Sequence, residues 1–195
     1  MASGSKQAAA VHGRFNLFAI TPLVVLTIVA YATSKQQSVC LSLSYATAAH
    51  IAIDTVWNLV VPQCQPTYFR WSTVMLHHLV TFWLVLHPCM HVENADMTPA
   101  CTIVEINTLL LTASRHFKKS KAITYSFYVT WVTMRLMWYP YIAFDHHARI
   151  TQWGATMYDY SWMQTVGTVI VLCVLNVLWT YEVIKSLLPK KPKDK

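Results

Sequence analysis

Two adjacent histidines, His77 and His78, lie in the apolar stretch STVMLHHLVTFWLVL, which is typical of a membrane-spanning helix. An ionisable side chain at the centre of a bilayer costs about 2.5 kcal/mol or more, so such residues indicate a functional site and need a partner. A neutral imidazole that is oriented by a carboxylate can remove a proton from an alcohol or amine attacking an acyl thioester. If the protein is an enzyme, we therefore expect His77, His78 and Asp54 to be its catalytic residues.

Polar residues recur every three or four positions along five of the apolar segments, and this spacing places them on one face of each predicted helix. Unsatisfied polar groups are costly in hydrocarbon, so these faces should converge on a shared, polar-lined cavity. The predicted lining residues are His50, Asp54, Asn58, His77, His78, Thr81, Glu105, Thr108, Thr112, Arg135, Tyr139 and Asn176. We expect Asp54 or Glu105 to pair with Arg135, because a lone buried charge is unfavourable. An alternative interpretation is that these contacts only join helices, without chemistry.

A metal site is the other chemistry that clustered histidines can support. The histidines outside the predicted first and second spans include His77, His78, His87, His91, His146 and His147, and HPCMH has an HxxxH spacing. The boxes of membrane di-iron enzymes, however, need histidine where Val74 and Ala143 stand, and His87 and His91 lie ten or more residues from His77. We therefore predict no metal. The five cysteines form no CxxC pair, which argues against zinc, while a disulfide among Cys40, Cys89 and Cys101 is left open.

The composition indicates one integral membrane domain. Of the 195 residues, 55% are hydrophobic and only 12% are charged, too few charges for an ordinary soluble domain. The net charge of +7 lies in loops and a tail beside apolar segments, so membrane topology explains it better than nucleic-acid binding, and we expect no nucleic-acid partner.

Taking about 20 apolar residues as one span, the sequence predicts an all-α, multipass protein: a bundle or barrel of six transmembrane helices around the polar-lined cavity. The predicted spans are 15–33, 39–61, 71–90, 98–115, 122–143 and 160–187. They form a membrane domain over residues 15–188, between a polar N-terminal segment, 1–14, and a basic C-terminal tail, 189–195.

Charge asymmetry predicts the orientation of these spans. With six spans, twelve of the fifteen Lys and Arg residues fall on one side, two on the other, and Arg135 within a span. Positive loops stay on the cytoplasmic side. We therefore expect both termini to share the cytosolic side, or the matrix side in a mitochondrial inner membrane.

Five sequence segments, in order, resemble the TLC-domain family, which includes the ceramide synthases and the translocating-chain-associating membrane protein. The resemblance covers about residues 40–188. The segments are IAIDTVWNL with Asp54, HHLVT, EINTLLLTASR with Glu105, VTMRLMWYPY with Arg135, and NVLWTYEVIKSLL. The resemblance implies a barrel-like arrangement of six helices that encloses a long acyl chain or a lipid.

The chain departs from the ceramide synthases at one informative place. Those enzymes carry a HDxxD-type segment on the helix after the histidine pair, whereas this chain reads CTIVEINTLLL, with Glu105 and no histidine or aspartate. Ceramide synthase activity is therefore not expected. The sequence looks more like the smaller, Glu-containing members, which are tied to membrane lipid composition.

These observations favour a protein that binds or handles a lipid or acyl chain, with a structural or substrate lipid and no other cofactor. One alternative is an accessory or scaffold subunit of a large membrane complex whose other subunits contact both tails. A second is an acyl-CoA-dependent acyltransferase that uses His77 and His78. The tail KKPKDK places Lys191 and Lys193 at the KxKxx spacing of an endoplasmic reticulum retrieval signal, although a basic tail can equally contact anionic lipids.

Overall fold

The computed structural model describes the backbone of residues 2–117 and 120–187 and the side chains of 7–117 and 120–185. The described residues are helical throughout, apart from short links, and contain no strand. The predicted all-α class is therefore correct. The basic tail 189–195, with its predicted retrieval signal, and the side chains of residues 1–6 lie outside the described part.

Three long helices make up the first half of the chain. They are α1 (Ala2–Ala32), α2 (Gln37–Val60) and α3 (Tyr68–Met90). Helix α1 is longer than the predicted span, because the polar start contains an alanine run and no proline, and alanine has the highest helix propensity. The left-handed residues Ser34 (φ 52°) and Lys35 (φ 58°) turn the chain from α1 into α2.

Shorter helical pieces make up the second half. They are α4 (Thr98–Thr102), α5 (Glu105–His116), α6 (Lys121–Thr130), α7 (Tyr139–Gln152), α8 (Tyr160–Trp162) and α9 (Thr168–Leu187). A π-helical segment, Trp131–Trp138, joins α6 to α7, and another, Met163–Gly167, joins α8 to α9. The 3₁₀ helices Pro62–Cys64 and Val92–Met97 follow α2 and α3.

The segment predicted as one span, 98–115, is divided in two. Residues 103 and 104 form a turn between α4 and α5. The carbonyl of Ala100, one turn before the break, accepts a hydrogen bond from the indole Nε1 of Trp138 at 2.9 Å. A contact with a distant part of the chain therefore accompanies the break.

In the described part of the chain, four helical stretches are long and apolar enough to cross a membrane. They are Gln7–Ala32, Gln37–Val60, Tyr68–Met90 and Tyr160–Lys185. Large apolar side chains face outward along them, including Phe18 (78% exposed) and Val60 (74% exposed). The chain is thus an integral membrane protein.

The helices contact one another in an order that returns to its start. Helix α1 packs on α2, α2 on α3, α3 on α9 and α9 on α7; the π-helical segment joins α7 to α6, and α5 packs on both α6 and α1. At the contact of α1 with α5, a Cβ on Gly13 would lie 3.6 Å from Nε2 of His116. This order of packing leaves a space between the helices, and the predicted polar faces surround it.

Candidate functional site: a polar-lined cavity

The space between the helices is a cavity of about 740 Å³. This volume is within the range of small-molecule sites, about 300–1,000 Å³. Ten of the twelve predicted residues line it: His50, Asp54, His77, His78, Thr81, Glu105, Thr108, Thr112, Arg135 and Tyr139. Asn58 and Asn176 are not among the lining residues; both are buried, at 0% and 1% exposure, behind the cavity wall.

Asp54 is the centre of a hydrogen-bonded group at the end of α2, which we call the Asp54 cluster: His12, Asp54, Asn58 and His78. Oδ1 of Asp54 lies 2.5 Å from Nε2 of His12, and Oδ2 lies 3.2 Å from Nε2 of His78. The amide of Asn58 donates to the backbone carbonyl of Asp54 at 2.8 Å and to Oδ1 at 3.3 Å. All four side chains are buried. The carboxylate is therefore satisfied on both oxygens by neighbouring side chains.

Two residues of the link after α2 form hydrogen bonds with Asn58 of this cluster. Oδ1 of Asn58 accepts hydrogen bonds from Gln65 Nε2 at 2.8 Å and from Cys64 Sγ at 3.5 Å. Burial raises the pKa of the Cys64 thiol, so the sulfur keeps its proton and can donate it. These contacts hold the Asn58 amide in the orientation that points its NH₂ group at Asp54.

His12 was not predicted to belong to the site, because the residues before position 15 were assigned to a polar N-terminal segment. In the structure it lies on α1, lines the cavity and stacks on Trp57 with ring centroids 6.2 Å apart. Asn16, one turn later, places its amide 3.4 Å from Nε2 of His12. The spacing of His12 and Asn16 by four residues is the sequence signal that could have revealed this polar face.

The structure separates the roles of the two adjacent histidines. Both ring nitrogens of His78 are engaged, Nε2 by Asp54 and Nδ1 by the Thr55 hydroxyl at 3.2 Å. His77 makes one long hydrogen bond, between Nδ1 and Thr81 Oγ1 at 3.4 Å, and its Nε2 has no hydrogen-bond partner among the described residues. Asp54 therefore orients His78 and not His77, and of these two residues it is His77 that offers a free nitrogen to a molecule in the cavity.

The expected pairing of Arg135 with Asp54 or Glu105 is wrong. Arg135 donates from Nη2 to Thr108 Oγ1 at 2.6 Å and from Nε to Asn107 Oδ1 at 3.4 Å, and it forms no ion pair with a described carboxylate. Asp54 is unavailable because the two histidines already occupy it. Arg135 is only 5% exposed, and its Nη1 has no hydrogen-bond partner among the residues that the structure describes.

Arg70 and Arg115 line the same cavity as Arg135, and we call these three residues the arginine group. The guanidinium of Arg70 lies over the ring of Trp179, 4.7 Å from the centroid. Trp179 is fixed by a hydrogen bond from its Nε1 to Thr73 Oγ1 at 3.0 Å, and it also contacts the edge of His77. Among the described residues, the arginine group has no salt bridge to any carboxylate.

The opposite end of the cavity is polar as well. His87 lies between Gln164 Oε1, 3.3 Å from its Nδ1, and Asn94 Nδ2, 3.2 Å from its Nε2. His146 is 1% exposed, and neither of its ring nitrogens has a hydrogen-bond partner in the described part of the chain. Among the residues that the structure describes, no group of three or more His, Cys, Asp or Glu side chains is arranged to hold a metal ion.

Comparison with known proteins matches this chain to one family. The family model described as the TLC domain matches residues 26–185. No curated protein and no solved structure matches the chain. The matched region contains Asp54, the histidine pair and Arg135, whereas His12 lies before it.

Proposed function

Because the chain belongs to the TLC-domain family, we propose that it binds a lipid or an acyl chain in the cavity between its membrane helices. The observation that carries this proposal is the cavity itself, which has the volume of a ligand site and a wall that combines polar and apolar side chains. Family membership supports a lipid-related role for a membrane protein.

For the architecture around this cavity we propose a barrel of six spans with both termini on the cytosolic side. Two of the six predicted spans, 98–115 and 122–143, coincide with no stretch that meets the length and hydropathy of a membrane helix. Their support is the packing of α5 between α1 and α6, and of α7 against α9, which continues the circuit of the four long helices. The endoplasmic reticulum is the proposed membrane, on the strength of the KxKxx-like tail.

Binding without catalysis is the function that the geometry supports best. A general base needs a free nitrogen that is held in position, and His77 has the free nitrogen but no carboxylate to orient it. His78 has the carboxylate but no free nitrogen. The two requirements are thus divided between neighbouring residues.

Acyl transfer is the second candidate, and the open Nε2 of His77 is the observation that favours it. In that reaction His77 would take the proton of an alcohol or amine as it attacks the acyl carbonyl, and the thiolate of coenzyme A would leave. His77→Ala should abolish turnover of a long-chain acyl-CoA if this mechanism operates. Retained turnover in that variant would exclude His77 as the base.

Native mass spectrometry of the full chain, extracted in mild detergent, tests the proposed function. We expect a monomer or dimer that carries co-purified lipid. Val74→Trp should reduce the bound lipid, because Val74 lines the cavity on α3 and the larger ring fills it. Leu76→Trp is the matched control, since Leu76 is on the same helix, is 44% exposed and does not line the cavity.

Two outcomes would contradict lipid binding in this cavity. One is equal lipid content in Val74→Trp and Leu76→Trp, with both variants folded as judged by size-exclusion chromatography. The other is a lipid-free chain that is found only in a larger multi-subunit particle, which would support the scaffold function instead.

A further inference from the structure

We propose that the ligand of the cavity is an amphiphile with an anionic headgroup, a carboxylate or a phosphate, and that the arginine group holds this headgroup. The proposal deepens the proposed function and rests on it. It follows from the charge of the lining, the geometry of the arginines and the apolar wall beyond them.

The charges that face the cavity do not balance without a ligand. Arg70, Arg115 and Arg135 line it without a salt bridge to any described carboxylate, and arginine keeps its charge in proteins. Asp54 is committed to His12 and His78. Glu105 is the other lining carboxylate, and it forms no salt bridge or side-chain hydrogen bond within the described part of the chain. One free carboxylate therefore stands against three arginines.

Arg135 has the geometry of an anion-binding residue. The contacts to Thr108 and Asn107 fix Nη2 and Nε and so fix the plane of the guanidinium. Nη1 is buried without a partner. A buried N–H group of a charged side chain is costly when it is left without an acceptor. A carboxylate or phosphate oxygen in the cavity would supply that acceptor, and arginine binds both groups with two parallel hydrogen bonds.

Aromatic side chains place two of the arginines. Arg70 lies over Trp179, and Arg135 lies 6.0 Å from the ring centroid of Trp131. Both indoles are fixed by hydrogen bonds to threonine, and with Phe127 they form one buried cluster. A contact with an aromatic face holds a cation in place while leaving its N–H groups available to an anion. The contacts with Trp179 and Trp131 thus position the guanidinium groups of Arg70 and Arg135 before a ligand binds.

The third arginine and the apolar wall complete the features of an amphiphile site. Arg115 lies in the last turn of α5 and is exposed, so an anion outside the cavity can contact it. Further along the cavity, the wall includes Leu23, Leu84 and Leu172, which offer a surface for a hydrocarbon chain. A cationic headgroup, such as a long-chain amine, would be repelled by the same arginines.

Competition binding on the full chain in detergent tests this ligand class with four probes of equal chain length. The probes are hexadecanoate, hexadecyl phosphate, hexadecanol and hexadecylamine, each competing with radiolabelled hexadecanoate. One lost charge-assisted hydrogen bond corresponds to about a tenfold change in affinity. We therefore expect the two anionic probes to compete at concentrations about tenfold or more below those of the alcohol and the amine.

Each other outcome overturns a defined part of the proposal. Equal competition by the alcohol or the amine would refute the anionic headgroup but leave lipid binding intact. Failure of every probe to bind would refute both the headgroup and the proposed function. Competition by inorganic phosphate at the concentration of hexadecyl phosphate would show that the site binds a free anion and no chain.

Three arginine-to-glutamine variants locate the headgroup. Arg135→Gln and Arg115→Gln should each weaken hexadecanoate binding about tenfold and leave hexadecanol binding unchanged. Arg115 is exposed, so that variant keeps the test valid if Arg135→Gln does not fold. Arg149→Gln is the matched control, because Arg149 lies outside the cavity and pairs with Asp96 at 2.8 Å and Asp145 at 3.0 Å. Equal affinity for hexadecanoate in all three variants and the unmodified chain would overturn the assignment.

Discussion

The Asp54 cluster and the arginine group face the same cavity but differ in how their charges are paired. The carboxylate of Asp54 is paired with histidines of the chain, whereas the arginines have no salt bridge to a described carboxylate. In the Asp54 cluster, one carboxylate is shared by two histidines and an asparagine, and both of its oxygens have partners. In the arginine group, the contacts of Arg70 and Arg135 are with aromatic rings, a threonine and an asparagine, and no described carboxylate forms a salt bridge with any of the three arginines.

The comparison separates residues that join helices to one another from residues that the proposed ligand would contact. A satisfied buried cluster stabilises the arrangement of the helices that contribute to it, here α1, α2 and α3. A buried cation without a paired charge costs stability, and the proposed anionic ligand would supply the opposite charge. Three substitutions test this comparison, and they are ordered by their expected effect on stability.

Asp54→Ala should have the largest effect. The change leaves His12 and His78 buried without their shared acceptor, and each unsatisfied buried polar group costs about 1–3 kcal/mol. We expect the free energy of unfolding, measured by titration with SDS in mixed micelles, to fall by about 2 kcal/mol or more.

Asp96→Ala is the control for the loss of an aspartate. Asp96 pairs with Arg149 at 2.8 Å, but the two side chains are 38% and 34% exposed. Exposed ion pairs contribute about 0–1 kcal/mol. A loss of stability in Asp54→Ala no greater than that in Asp96→Ala would show that the Asp54 cluster does not hold the helices together.

Trp179→Phe should have an intermediate effect. Phenylalanine keeps most of the buried area but loses the hydrogen bond to Thr73 and weakens the contact with Arg70. One net hydrogen bond contributes about 1 kcal/mol, so we expect a loss of that size in the same titration. Binding of hexadecanoate should weaken as well, whereas a purely structural role for Trp179 predicts unchanged binding in the folded variant.

Arg135→Met should have the smallest effect on stability. The change removes an unpaired buried charge and two hydrogen bonds, and apolar replacements of buried charged groups are often neutral or stabilising. We expect the ligand-free protein to change by less than about 1 kcal/mol, and thermal stabilisation by added hexadecanoate to disappear. A large loss of stability in the absence of ligand would place Arg135 with the Asp54 cluster as a structural residue.

Periodicity predicted much of this arrangement. The predicted spans 39–61 and 71–90 differ from α2 (Gln37–Val60) and α3 (Tyr68–Met90) by three residues or fewer at each end. Apolar length and polar spacing are local properties, so the sequence alone was enough for these two helices and for the polar face that contains Asp54. The extension of α1 to Ala2 was missed because hydropathy, and not helix propensity, set the predicted boundary.

Partner choice could not be predicted in the same way. Asp54, Glu105 and Arg135 were recognised as charges that face the interior, but the spacing of residues within one helix gives no distance between helices. In the structure Asp54 is hydrogen-bonded to His12, which is 42 positions away on a helix whose polar face was not predicted. The π-helical segment around Arg135 and the break between α4 and α5 were also not predicted, and the break is accompanied by a hydrogen bond from the distant Trp138 to the carbonyl of Ala100.

The segment that the family model matches does not contain every residue of the Asp54 cluster, because His12 lies before it. The family match begins at residue 26, so a chain shortened to that boundary would keep Asp54 and lose the imidazole closest to it. His78 alone would then have to satisfy the carboxylate, on a wall no longer covered by the first half of α1. His12 thus belongs to the interior of the molecule, although the sequence predicts a polar N-terminal segment at that position.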